Sequence, residues 1–563
     1  MLATLFFVAC SDNINTEEGM NTGNGSGSTD GYVKVSINMP TTSSNSRAMG
    51  NYQDGVKSEY QVNNALIVFF GGENEQNATF LNAYPLELGD MKNDNDNEQV
   101  TTTSEVCILE APSVPTGTNL YALAVINPNG ILSIDGENNL LLNGIPAFSE
   151  NNNTVKALQN KIEKTVSDFI STSENEKASF FMTNAPLSDK SASSENKAEA
   201  KATTLVKVKV YKTEADAKAE SAVADPIFVE RIVAKVSMEI SSSIKAENSD
   251  NTINVNAGNI YNGDQVTLDG WVLNATNKST KLVRDVSGLS QWVTYDSGNS
   301  RFLASGEVKK DARVYRIFWA IDNNYDSKYD ADDFTIYANS TSNIPWNTSW
   351  DEDKNGEYCL ENTFSTAHQR KNETTSVLIK GTYKRSEEAT AKSFFIVGNN
   401  GELLTEQEFI EKVKSAASLT DGNITIKADA QGGYYNMADG KKLNELLNVE
   451  SDDAAKLQQV ITALGTVKYY RDGATYYYTT LIKHFGESET PWEPGGSYTE
   501  EKHLGRYGVV RNTWYQLSID GISGPGEPEI PDLPDEPDDT VEGYIKVSVN
   551  ILSWAVRTQG VDL

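Results

Sequence analysis

The chain has 563 residues but only three histidines and three cysteines. His368, His484 and His503 include no pair at ligand spacing, and no CxxC, phosphate-binding glycine loop or nucleophile elbow occurs. Catalysis is therefore not expected, and neither is a cofactor or a bound metal. Besides Cys10, the cysteines are Cys107 and Cys359, far apart and in apolar, strand-like contexts. They read as buried thiols rather than a bridge. No run approaches the roughly 18 apolar residues of a membrane span. Basic residues are also scarce: 48 Lys and Arg face 79 Asp and Glu, a formal charge of −31. Such a surface repels nucleic acid and anionic lipid. One acidic run, DEDKNGEYCLEN at 351–362, opens like a calcium loop with Asp351, Asp353, Asn355 and Gly356. Its twelfth position is Asn362 instead of a bidentate Glu, so an acidic turn is the preferred reading.

What the chain has in quantity is strand-like sequence. ALIVFF (65–70), LYALAVINP (120–128), ASFFMTNAP (178–186), VKVKVY (206–211), VERIVAKVSMEI (229–240), VTLDGWVLN (266–274), VYRIFWAI (314–321), SVLIKGTY (376–383), TYYYTTLI (475–482) and WYQLSI (514–519) are separated by Asn, Gly, Ser and Asp turn signals. That spacing suits antiparallel sandwiches better than alternating β–α units. Helices are expected at 153–170, 405–418 and 452–465, with Thr405 and Asp452 as N-caps. The length fits two or three domains. The expected division is 1–30 signal and tether, 31–47 first strand and loop, 48–225 and 226–522 two β domains, 523–542 linker, and 543–563 tail.

The most informative feature is a repeat. GYVKVSIN at 31–38 returns as GYIKVSVN at 543–550, six of eight positions identical and two exchanging Val for Ile. With period two, Val33, Val35, Ile37 and Met39 share one face, and Ile545, Val547, Val549 and Ile551 share the equivalent face of the second copy. Identity extends to the polar face, which ordinary sandwich strands do not require. One copy could therefore occupy the place of the other, a groove expected at the sheet edge of the first domain, leaving the surplus copy for a neighbouring molecule. Four apolar side chains in one groove contribute roughly 6–12 kcal/mol before ordering costs. Beyond Ile551 the apolar phase shifts to Leu552, Trp554 and Val556, which predicts a bulge or a second short strand anchored by Trp554.

The flanks fit that exchange. After the first copy, TTSSNSR ends in Arg47 followed by Ala48, suited to cleavage by a trypsin-like protease. Before the second copy, Pro525, Pro528, Pro531, Pro534 and Pro537 fall every third residue among seven carboxylates. This is the period of polyproline II, and it predicts an extended spacer that holds the tail off the body. At the start, MLATLFFVACSD resembles a lipoprotein signal in which Cys10 carries the lipid.

Taken together, VERIVAKVSMEI, YCLENTF before SVLIKGTY, VVRNTWYQLSI, the Pro/acidic linker and the terminal NILSWAVRTQGVDL resemble the major fimbrial subunits of Bacteroidota type V pili, especially the short-fimbria shaft subunit. The resemblance implies a mainly β fold of two transthyretin-like antiparallel β-sandwich domains with a few short helices and an extended C-terminal donor strand. It implies an outer-membrane lipoprotein precursor, lipidated at Cys10 and cut between Arg47 and Ala48 by an Arg-specific or trypsin-like protease. Its partners would be identical subunits in an extracellular homopolymer, with tip and anchor fimbrial subunits, supporting adhesion. The membrane is met only through the precursor lipid. The alternative is a non-polymerising surface lipoprotein or adhesin that binds glycan or host protein, with Trp271, Trp292, Trp346 and Trp350 as contact platforms.

Overall fold

The computed structural model describes residues 31–38, Glu59 and most of 61–537, together with the backbone of 545–553; the longest interruptions within 61–537 are 94–102, 450–463 and 485–497. The fold is mainly β, as expected. The first body is a ten-stranded sheet. Its order runs Thr79–Leu86, Ala65–Gly72, Asn119–Ile126, Met182–Asn184, Asp225–Arg231, Gly31–Asn38, Thr103–Ala111, Lys92–Asn93, with two short strands pairing off this path. Its core includes Val33, Val35, Ile37, Ile67, Phe69, Leu123, Val125 and Phe180.

The second body is a sandwich of two four-stranded sheets. One is ordered Glu357–Leu360, Val233–Ile240, Thr513–Ile522, Ile545–Ser553, and the other Thr252–Asn254, Gln265–Asn274, Ser376–Lys384, Ala474–Tyr478. Between them lie Val236, Met238, Leu268, Trp271, Ile379, Tyr477, Leu517 and Ile519. A smaller sheet, built from Phe394–Val397, Leu403–Thr405, Gly433–Tyr435 and Val467–Tyr470, has its own core around Phe395, Phe409, Val413 and Leu443. The strand and turn pattern of the sequence does not mark this core off from its neighbour. Its helix, Glu406–Ala417, starts where expected: Thr405 Oγ1 accepts from Glu408 N at 3.2 Å, and Thr405 N donates to the Glu408 carboxylate at 2.7 Å.

Three expectations for local structure are overturned. Residues 153–170 form no continuous helix but a 3₁₀ turn Val155–Gln159, a strand Lys161–Glu163 and one helical turn Val166–Phe169. Tertiary pairing outweighs helix propensity here, because Lys161–Glu163 pairs with Ser279–Lys281 and buries Ile162. Only Tyr315–Ile317 of the 314–321 run is a strand, since beyond it the backbone bonds to loop carbonyls instead of a ladder, Phe318 N donating to Phe302 O and Ile321 N to Asp285 O. The run 229–240 is two strands in two different sheets, parted at Ile232, whose N–H donates to Phe181 O. The helix expected at 452–465 falls almost wholly outside the described residues.

At that seam the chain buries charge. Arg284 lies 3.4 Å from Glu230 and 3.3 Å from Glu361, and Arg511 Nε lies 3.2 Å from Glu361. Burial pushes the Glu230 carboxyl upward against the opposing pull of Arg284. This network joins the first body's strand Asp225–Arg231 to the second body, and removal of one partner would leave an uncompensated charge.

Candidate strand-exchange site

Alternating β-branched and polar residues make Gly31–Asn38 a strand with one apolar face. Val33, Val35 and Ile37 are fully buried, while Tyr32, Lys34 and Ser36 are half-buried. Together the three apolar side chains contribute about 5–9 kcal/mol to holding the strand. Lys34 Nζ donates to Ala222 O at 3.0 Å, and Tyr32 packs on Tyr211, Ala217 and Ala222. Met39 lies outside the described residues.

The strand is interior, whereas a position on the sheet edge was expected. On one side it pairs antiparallel with Thr103–Ala111 over its full length, from Gly31 opposite Ala111 to Asn38 opposite Ser104. On the other, Tyr32 and Val33 pair antiparallel with Val210–Tyr211, and Val35 to Asn38 pair parallel with Asp225–Phe228. The slot thus has two walls, and removal of its occupant would expose two ladders of backbone polar groups. That makes refilling more favourable than at an edge, where one ladder is at stake. Gly31 fits a constriction that the sequence reading missed. A Cβ there would stand 2.3 Å from Tyr211 O and 2.6 Å from Val210 Cγ1. The signal was available, because the second copy also begins with glycine, Gly543. Cys107, opposite Val35, is fully buried, and Cys359 is a free, buried thiol.

The tail departs from expectation too. Rather than standing free while the first strand is in place, Ile545–Ser553 lies antiparallel against Thr513–Ile522 of its own second body. Val547 is opposite Ile519, Val549 opposite Leu517 and Ile551 opposite Tyr515. The physical reason is an open edge. Thr513–Ile522 pairs on its other side with Val233–Ile240, and its unpaired ladder is a template for any strand within reach. The phase shift at Leu552 brings no break; the strand continues to Ser553, and the irregularity sits in the partner between Ile519 and Gly521. The spacer is docked as well: Gly524, Pro525, Gly526, Pro528 and Ile530 are buried on the second body, contrary to a segment holding the tail away. Cys10, Arg47, Ala48 and Trp554 lie outside the described residues.

The remaining candidates have structural partners. His368 Nδ1 is 2.8 Å from Glu373 Oε2, His484 Nδ1 is 2.7 Å from the Tyr515 hydroxyl, and His503 Nδ1 accepts from Thr499 N at 2.8 Å. Asn362 donates to Glu373 O and Thr375 Oγ1, both at 2.9 Å. Trp271 and Trp292 are buried in two cores, and Trp346 and Trp350 are half-buried. Among the described residues no three His, Cys, Asp or Glu are grouped so as to hold a metal ion.

Residues 468–560 match the family model described as major fimbrial subunit protein type IV, fimbrillin, C-terminal. No curated protein matches the chain. Among solved structures, it is similar to a candidate cell adhesion protein from Parabacteroides distasonis ATCC 8503, at 12% identity and TM-score 0.38 over 94% of this chain and 99% of that one. A second candidate cell adhesion protein, from Bacteroides eggerthii DSM 20697, matches at 11% identity and TM-score 0.35 over 93% and 98%. A fimbrial assembly protein from P. distasonis ATCC 8503 matches at 10% identity and TM-score 0.26 over 62% and 81%.

Proposed function

We propose that this chain, a fimbrillin-type subunit by its C-terminal region, polymerises as the shaft subunit of a cell-surface fimbria through exchange of one strand for its repeat. The observation that carries the reading is the match between the slot and the tail. The slot needs Gly at its mouth, three buried β-branched residues at period two and a Lys reaching Ala222 O. The tail supplies Gly543, then Ile545, Val547 and Val549 in the same phase, with Lys546 where Lys34 stands.

In this reading the precursor is an outer-membrane lipoprotein held through Cys10. A trypsin-like or Arg-specific protease cuts between Arg47 and Ala48, the strand 31–38 leaves, and the tail of another copy enters. The same tail must first peel from Thr513–Ile522, so the chain has a resting and an engaged arrangement. Tip and anchor fimbrial subunits would terminate the polymer, and the extracellular fibre would support adhesion. None of these steps asks the chain itself for enzymatic chemistry.

The test is the N-terminus of protein sheared from cells, with Arg47→Ala alongside. The expected mature residue is Ala48, with unpolymerised precursor accumulating in the variant. Normal oligomer ladders in Arg47→Ala, with the first strand still removed, would place the cut elsewhere.

A further inference from the structure

The segment Gly524–Pro537 crosses the second body on a row of hydrogen-bond donors. Tyr477 hydroxyl donates to Gly524 O at 3.1 Å, Tyr470 hydroxyl to Gly526 O at 2.7 Å, and Tyr478 hydroxyl to Pro531 O. Tyr476 and Glu527 exchange two backbone hydrogen bonds of 2.9 and 2.7 Å, so the segment is stitched to the strand Ala474–Tyr478. Glu527 is also met by Lys468 at 3.3 Å and by the Tyr434 hydroxyl. At the far end Lys371 N donates to Glu536 O at 2.9 Å and Arg370 pairs with Asp535.

This is the chemistry a proline-rich strand calls for. Proline has no N–H, so such a segment offers mainly carbonyl oxygens, and a surface that recognises it presents donors on aromatic rings. Ile530, 8% exposed, adds an apolar anchor against Val272 and Leu378. The fit is close enough to require glycine: a Cβ on Gly526 would stand 2.1 Å from Tyr476 O, and one on Gly432 would stand 2.8 Å from Pro528 O.

We propose that this tyrosine track is a clamp for the acidic proline-rich segment, and that it fixes the point and direction from which the tail leaves the molecule. Unclamped, the chain from Ile522 to Ile545 could extend about 80 Å, at roughly 3.5 Å per residue. Clamped as far as Pro537, it reaches about 28 Å. The clamp thereby confines the tail to a small volume near the exit, raises its effective concentration for a strand-sized target there, and shortens the joint between successive subunits. The consequence for the joint rests on the exchange reading above, whereas the clamp itself does not.

The test is amide hydrogen exchange on the uncut, full-length monomer, with the synthetic peptide 523–538 as the free reference. In the native chain the Glu527 and Lys371 amides should exchange at least about a hundredfold more slowly than unstructured ones. Tyr470→Phe/Tyr477→Phe/Tyr478→Phe keeps the rings and removes only the hydroxyls. It should lower protection of 524–531 by about tenfold or more, leaving Ser376–Lys384 unchanged. Exchange of 524–531 at the free-peptide rate in the native chain, or full protection in the triple variant, would overturn the clamp. Fibres of the triple variant should bend more, with a persistence length reduced at least about twofold and heat resistance kept. Equal stiffness would overturn the link to the joint, and failure of the native chain to polymerise would overturn the exchange reading while leaving the monomer result standing.

Discussion

Glu59 and Lys235 form an ion pair of 2.7 Å between side chains that are 0% and 2% exposed. Tyr358 hydroxyl donates to the same carboxylate at 2.6 Å, Arg231 Nε donates to Glu59 O at 2.7 Å, and Lys235 Nζ sits 3.9 Å from the Trp514 ring centre. Burial beside the Glu59 carboxylate pushes the Tyr358 hydroxyl pKa up and keeps it a donor. Glu59 follows the first strand in sequence, and Lys235 opens the second sandwich. The chain downstream of the proposed cut is therefore fastened by contacts that do not involve residues 31–38. Glu59→Ala should destabilise the uncut protein by about 3–5 kcal/mol, because Lys235 keeps a buried charge without its partner. Urea unfolding checks this. Combining Glu59→Ala with Lys235→Met should cost less than the two single changes together.

Gly31→Ala places a methyl group against Tyr211 O and should lower the melting temperature of the precursor by several degrees. Gly543→Ala should leave that temperature unchanged and weaken fibres instead. A precursor destabilised equally by both changes would show that the second glycine does not serve the slot.

Val547→Asp with Val549→Asp puts two charges where Val35 and Ile37 are fully buried, at a cost of several kcal/mol each. Fibres should be lost while the first body stays folded. In native fibres the amides of Thr513–Ile522 that face the resting tail should exchange faster than in the monomer, since the proposed exchange moves the tail to the next subunit. Heat-resistant polymers from the double Asp variant, after confirmed loss of residues 1–47, would remove the donor assignment.

Asp322 is buried and its carboxyl is pushed up to about 7, burial outweighing hydrogen bonds from Thr363 N and Asn324 N. The folded state then holds a proton that the unfolded chain releases near pH 4. Its effect on stability is most favourable below that pH and is lost as pH rises from about 4 to about 7. Asp322→Asn should flatten that part of the curve of unfolding free energy against pH, whatever it does to absolute stability.

The legible parts of the fold were those coded locally. Period-two alternation marked Gly31–Asn38, and the Thr405/Glu408 capping box marked the helix start. The parts that were not legible depend on partners distant in sequence. Nothing near Ile232 announces that one apolar run feeds two sheets, and Glu230, Arg284, Glu361 and Arg511 meet across some 280 residues. Likewise the proline period at 525–537 shows an extended segment, but the tyrosines that hold it lie 47 to 56 residues upstream of the carbonyls they bind. The interior position of the first strand follows from Val210–Tyr211 and Asp225–Arg231 closing over it, a topology that its own eight residues do not encode.

Because Gly31–Asn38 runs parallel to Asp225–Arg231 and antiparallel to Thr103–Ala111, the slot distinguishes the two ends of whatever fills it. A strand entering backwards would meet both ladders in the wrong sense and would carry its glycine away from Tyr211. Successive subunits would therefore all face one way, giving a filament with two chemically different ends. A contact of this kind joins unlike surfaces, so it has no twofold pairing in which to close, and growth continues until a subunit lacking one of the two surfaces ends it.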